Sequence, residues 1–139
     1  MYLVDTNVVS ELRRPERANR NVARWAAATP LVHQHISVIS VLELELGALL
    51  IGRRDTTQGG VLRQWIDRQV LPSFEGRILA IDTAIALRCA RLHAPDPRSE
   101  RDALIAATAL THGLTIVTRN QADFAPTGAV VFNPWTFER

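Results

Sequence analysis

The chain is predicted to be an α/β protein with a mostly parallel sheet of about five strands, for three reasons. Short apolar runs with strand character recur along its length, amphipathic helical patterns separate them, and no repeat, low-complexity segment or linker interrupts the alternation. Its 139 residues fit a single domain over positions 1–139, large enough to bury a core without disulfides or structural metal.

Each element has a local reason. Met1 to Val4 reads as a short buried strand, after which Asn7 can cap a helix over Val8, Val9 and Leu12 that Pro15 would stop. A second helix is expected over Val22 to Ala28, ending before Pro30. His33 to Val38 alternates like a strand, and Ser40 then caps a helix carrying Val41, Leu42, Leu44, Leu46, Leu49 and Leu50 that runs out near Gly52. Gly59-Gly60 marks a break before an amphipathic helix over Val61 to Val70. Ile78 to Ile81 is a third strand, with Asp82 capping a helix over Thr83 to Leu92. Pro95-Asp96-Pro97 is a loop, and an Ala-rich helix from Asp102 to His112 stops at Gly113. Leu114 to Val117 and Ala129 to Phe132 complete the sheet.

Composition narrows the function. The net charge is +2, and all sixteen basic residues are arginine. A GC-rich genome produces that bias, but arginine is also the better side chain for bidentate phosphate contacts. Arg13, Arg14, Arg17, Arg20 and Arg24 form a cluster that reads either as a solvated face or as a guide for a polyanion. Cys89, the sole cysteine, sits in an apolar helical pattern and reads as a buried inert thiol. The chain opens with a strand rather than a basic, apolar leader, and no apolar run reaches the ~18 residues of a membrane span. A cytoplasmic protein with no membrane partner is expected.

Four acids stand out: Asp5, Glu43, Asp102 and Asp123, each placed where a predicted strand gives way to a helix. The carboxyl ends of parallel strands share one edge, where ligands bind in such folds. Carboxylates gathered there repel one another unless a divalent cation holds them, and an oxygen-only set suits Mg²⁺ or Mn²⁺. Singly, Glu43, Asp102 and Asp123 also fit helix capping boxes with Ser40, Ser99 and Asn120. Asp5 is harder to explain that way, because an acid closing a buried strand needs a partner. Asp82 reads as a cap alone, and Glu45 turns to another helix face than Glu43. His33 and His35 would share a strand face with no further soft ligand nearby, which favours an ordinary pair over a metal site. Trp25, Trp65 and Trp135 are assigned to packing, and no glycine-rich nucleotide loop is present.

These residues resemble the PIN-domain family, specifically the FitB-like branch of VapC-type toxins from toxin–antitoxin pairs. Tyr2-Leu3-Val4-Asp5-Thr6-Asn7 is similar to the family's first acidic motif, and Ser37 to Leu44 followed by Gly47 to its second. Asp102 to Ala109, then Val117-Thr118-Arg119-Asn120 and Asp123-Phe124, resemble the third region. Thr127-Gly128 and Asn133-Pro134-Trp135 resemble the tail of the FitB-like branch. The resemblance implies a PIN-like α/β/α sandwich acting as a Mg²⁺- or Mn²⁺-dependent endoribonuclease. It carries over Asp5, Glu43, Asp102 and Asp123 as the catalytic acids, with Asp5 and Asp102 as metal ligands joined by Glu43 and Asp123. Asn7, Thr118 and Asn120 would support them; Asn120 stands where some relatives carry an acid. The implied partners are an RNA substrate, a cognate antitoxin in hetero-oligomer with the toxin, a second copy in a homodimer, and operator DNA reached only through the antitoxin. The apolar faces around Leu44 to Leu50 and Val61 to Val70 are the expected dimer surface.

Three other readings compete. A receiver-like phosphoacceptor domain has an acidic Mg²⁺ pocket but uses a lysine, and this chain has none. Flap-type nucleases need helical elements for which 139 residues leave little room. A PIN fold without catalysis, serving as an RNA- or protein-binding module, would retain the same acids.

Overall fold

Alternation within two short strands divides the core. In β1 (Tyr2–Val4), Leu3 packs with Ile105, Ala106, Ala109, Ile116 and Phe124 on one side of the sheet. Val4, its neighbour, packs with Val8, Val22, Trp25, Ile36, Leu44 and Val117 on the other. Ile116 and Val117 in β4 (Thr115–Val117) divide the same way, as a period of two requires. Both faces are therefore covered, and the strands read as continuous apolar runs.

The computed structural model describes residues 1–138. With β2 (Gln34–Ser37), β3 (Ile78–Leu79) and β5 (Val131–Phe132), the strands form an all-parallel sheet in the order β3-β2-β1-β4-β5. The order reverses direction at β1, so the crevice beyond the carboxyl ends of β1 and β4 is the switch point at which ligands bind in open α/β sheets.

The helices are α1 (Thr6–Glu11), α2 (Arg20–Ala28), α3 (Val38–Arg54), α4 (Thr56–Trp65), α5 (Leu71–Ser73), α6 (Thr83–His93), α7 (Glu100–His112) and α8 (Gln121–Phe124). A π-helical turn over Ile66–Val70 joins α4 to α5. Helix α7 presents Ile105, Ala106 and Ala109 to the sheet and Ala103 and Ala107 to Ile85 and Cys89 of α6. Its alanines let it lie between the two. Gly113 ends α7 at φ +67, the left-handed stop its position predicts.

Several expectations change in detail. Asp5, not Asn7, caps α1, accepting the Thr6 N–H at 2.8 Å. Ser37, not Ser40, caps α3, so Ser40 and Glu43 lie inside the helix and form no capping box. The break expected at Gly59-Gly60 falls at Asp55, whose side chain caps α4 through the Gln58 N–H. The glycine serves packing instead: a Cβ on Gly59 would stand 2.4 Å from the Gly52 Cα, where α4 crosses α3. His33 belongs to a 3₁₀ turn rather than to β2, so it shares no strand face with His35. Among the described residues no helix is long and apolar enough to cross a membrane.

Candidate active site

Asp5 follows the last residue of β1 and is 6 % exposed. Its backbone N–H donates to the Val117 carbonyl at 2.9 Å, so the sheet ladder continues into the site. Its carboxylate is fixed at both oxygens. Oδ1 takes the Thr6 N–H; Oδ2 takes the Thr118 hydroxyl at 2.8 Å and the Asn7 amide at 3.3 Å. Thr118, which directly follows β4, also accepts from the Asn7 amide and from the Asn120 N–H, each at 3.1 Å. Asn7 Oδ1 in turn takes the Arg119 N–H at 3.3 Å. The ends of β1 and β4 are thus tied through side chains. Asn7 and Thr118 both reach the Asp5 carboxylate through their side chains, whereas Asn120 joins this network through its backbone.

Glu43 reaches the site from the second turn of α3. The Thr6 hydroxyl donates to its Oε1 at 2.7 Å and stands 2.9 Å from the Ser40 hydroxyl. Its Oε2 lies 3.7 Å from the Arg101 guanidinium. Asp102 does not follow a strand, contrary to expectation; it lies in the first turn of α7, after the loop from α6. It still reaches the same edge. Thirteen helical residues span about 20 Å, and α7 feeds β4 through a short turn, so its N-terminus returns to the carboxyl end of the sheet. Asp123 arrives on α8, just beyond β4.

Electrostatics ties the four together. Burial raises the Asp5 carboxyl above its ordinary range, and the charges of Glu43 and Asp102 raise it further, against the hydrogen bonds from Thr118 and Thr6. Asp102 is raised by burial, then by Asp123 and Glu43, and is held down by Ser99. Each acid therefore acts on at least one other through space. Two carboxyls pushed up by burial and further by like charges form a donor set that a hard divalent cation would relieve. The residues fit Mg²⁺ or Mn²⁺.

Among the described residues, a different trio has its ligand atoms within 4.8 Å of one another: Cys89, His93 and Glu100. It is a poor metal site. The Arg98 N–H donates to His93 Nδ1 at 3.0 Å, which leaves the neutral ring's proton on Nε2, 3.1 Å from Glu100 Oε2. Freeing Nε2 for a metal would move that proton to Nδ1, against the Arg98 N–H, and burial pushes the Cys89 thiol up, away from thiolate. Of two cavities, only the smaller adjoins an acid. One of about 490 Å³ lies among Val9, Leu12, Ala26, Trp65 and Phe74 and touches none of the four acids. One of about 300 Å³ opens beside Glu43, with Thr6, Ser10, Arg13 and Gly47 in its wall.

Sequence reasoning missed three participants. Thr6 joins Asp5 to Glu43, and its position beside Asp5 was the available signal. Arg101 contacts Glu43 across two helices. The Arg119 guanidinium lies 5.1 Å from the Trp135 ring centre, so this tryptophan carries a cation as well as packing. Glu45, as expected, points elsewhere and pairs with Arg63.

Comparison with known proteins agrees with the fold. A PIN-domain family model matches residues 2–128. Toxin FitB of Neisseria gonorrhoeae is 38% identical, covering 97% of this chain and 99% of its own length. VapC ribonuclease Y4jK of Sinorhizobium fredii is 34% identical, covering 97% and 98%. The solved structure of FitAB bound to the IR36 DNA fragment contains a chain that superposes with a TM-score of 0.86 at 35% identity, covering 100% of this chain and 99% of that one. With near end-to-end relatives and the sheet order, crevice and acids described above, the chain belongs to the PIN-domain family, on the branch that holds FitB and the VapC toxins.

Proposed function

We propose that this chain, as a single nuclease domain over 1–139, is the toxin of a toxin–antitoxin pair and a Mg²⁺- or Mn²⁺-dependent endoribonuclease. The observation that carries the reading is the meeting of Asp5, Glu43, Asp102 and Asp123 from four separate elements at one sheet edge, where the charges of the others help raise the Asp5 and Asp102 carboxyls. The relatives' names, one a toxin and one a ribonuclease, support it.

Asp5 and Asp102 would hold the principal ion, and Glu43 and Asp123 a second ion or the attacking water. When bound, the cation supplies Lewis-acid charge and an activated water. The chain's own residues supply position. Thr6 and Thr118 hold the two Asp5 oxygens in place, and Thr6 also holds one oxygen of Glu43. The reaction is attack of water on a backbone phosphorus with loss of the ribose oxygen, so no side chain needs to become covalently bonded. Arg119 and Arg13, at the margins of the site, suit phosphate attraction.

A cognate antitoxin is the expected partner and inhibitor, and it would carry the pair to operator DNA. A homodimer is expected as well, though its surface is narrower than the sequence implied. Leu44, Ile66 and Val70 are buried in the core, whereas Leu42, Leu49, Leu50 and Val61 remain exposed. The test of function is incubation of antitoxin-free protein with total bacterial RNA in Mg²⁺, in Mn²⁺ and in EDTA. A few discrete fragments that disappear in EDTA are expected; cleavage that persists in EDTA would exclude the metal-dependent reading.

A further inference from the structure

Arg101 is in an unfavourable place for a cation. It lies in the first turn of α7, where the helix dipole favours negative charge. What it gains there is Glu43. Its guanidinium nitrogen stands 3.7 Å from Glu43 Oε2, and the two side chains are 47 % and 26 % exposed. The other oxygen, Oε1, is already taken by Thr6. Glu43 is therefore approached from both sides, by a hydroxyl on one oxygen and by a guanidinium whose positive charge faces the other.

A divalent cation approaching Glu43 meets a carboxylate oxygen already facing a positive charge. A cation bound to that oxygen and the guanidinium 3.7 Å from it would repel each other, and the half-exposed arginine is the one free to swing into solvent. We propose that Arg101 is the site's internal counter-ion: it holds Glu43 before the cation arrives and must be displaced for the cation to bind. It would thereby set the cation concentration at which the nuclease becomes competent. This rests on the reading that the acid cluster binds a divalent cation.

Isothermal titration of Mn²⁺ into the full, antitoxin-free chain tests it without RNA. The proteins compared are wild type, Arg101→Ala, Arg101→Gln, Glu43→Gln, the Arg101→Ala/Glu43→Gln pair and Asp5→Asn, each checked for native circular dichroism. Displacing a partly exposed ion pair predicts that both Arg101 variants bind Mn²⁺ about three- to five-fold more tightly. The gain should vanish when Glu43 is already Gln, because the competition runs through that carboxylate. Unchanged or weaker Mn²⁺ binding by both variants overturns the proposal. So does a gain that persists undiminished in the Glu43→Gln background, which would reveal a general field effect. If wild type takes up no Mn²⁺ that Asp5→Asn abolishes, the cation reading itself fails and the proposal falls with it.

Discussion

The Thr118 hydroxyl donates to Asp5 Oδ2 at 2.8 Å, joining two residues 113 positions apart across the adjacent ends of β4 and β1. The bond is fully buried and holds down a carboxyl that its surroundings push up. Replacing Thr118 with Val keeps the shape and removes the donor. The expected cost is about 1–3 kcal/mol of stability, since polar atoms of the network lose a buried partner. Cleavage should fall roughly 10–100-fold, as for groups that orient metal ligands. Urea unfolding and a cleavage assay check the two numbers separately.

Protonation of the same site predicts a pH dependence. Asp5 and Asp102 titrate above the ordinary 3.8 of aspartate in the folded chain. A raised folded pKa contributes stability that is fully present below 3.8 and is lost as pH rises through the folded values. For the metal-free protein these two groups therefore lower the melting temperature between acid and neutral pH. Mn²⁺ should recover the loss, raising Tm more at pH 7.5 than at pH 4.5. Equal Mn²⁺ shifts at both pH values would contradict this.

The α3–α4 crossing gives a prediction independent of catalysis. Gly59→Ala puts a methyl 2.4 Å from the Gly52 Cα and should cost about 1–3 kcal/mol through overpacking. Gly60→Ala next to it meets nothing within 4 Å and should be neutral or stabilising by up to about 1 kcal/mol, from helix propensity alone. Chemical denaturation of the pair measures the contrast.

The exposed stripe on α3 makes the dimer testable. Leu42 and Leu49 are 46 % and 56 % exposed, two turns apart on one face. If they form the seam between two copies, Leu42→Glu with Leu49→Glu should convert a dimer to a monomer in light scattering while leaving circular dichroism unchanged. A wild-type monomer at micromolar concentration would remove the proposal.

The legible part of this protein was what local chemistry encodes. The strand cores at Leu3-Val4 and Ile116-Val117, the Gly113 stop and the Asp82 cap all follow from neighbouring residues. The motif residues Asp5, Glu43, Asp102 and Asp123 were legible as types in a spacing. Misread details came from geometry that residue types alone do not show, most of it between residues distant in sequence. Gly59 looks like a helix breaker until Gly52 is placed against it. Ser40 looks like a cap because nothing nearby shows that Ser37 has already started the helix. Asp102 reaches the site because α7 runs back along the sheet, which its own turn does not reveal. Arg101 was missed for the same reason, its partner lying on α3.

The central proposal is that these acids hold the cation that cleavage needs. Asp5→Asn tests it most directly, because it removes one charge while keeping the size of the side chain. Wild type and variant, equally folded, should be compared on total bacterial RNA in Mg²⁺ and in Mn²⁺. Discrete fragments from wild type and none from Asp5→Asn are the predicted result. Unchanged metal-dependent cleavage by Asp5→Asn would contradict it.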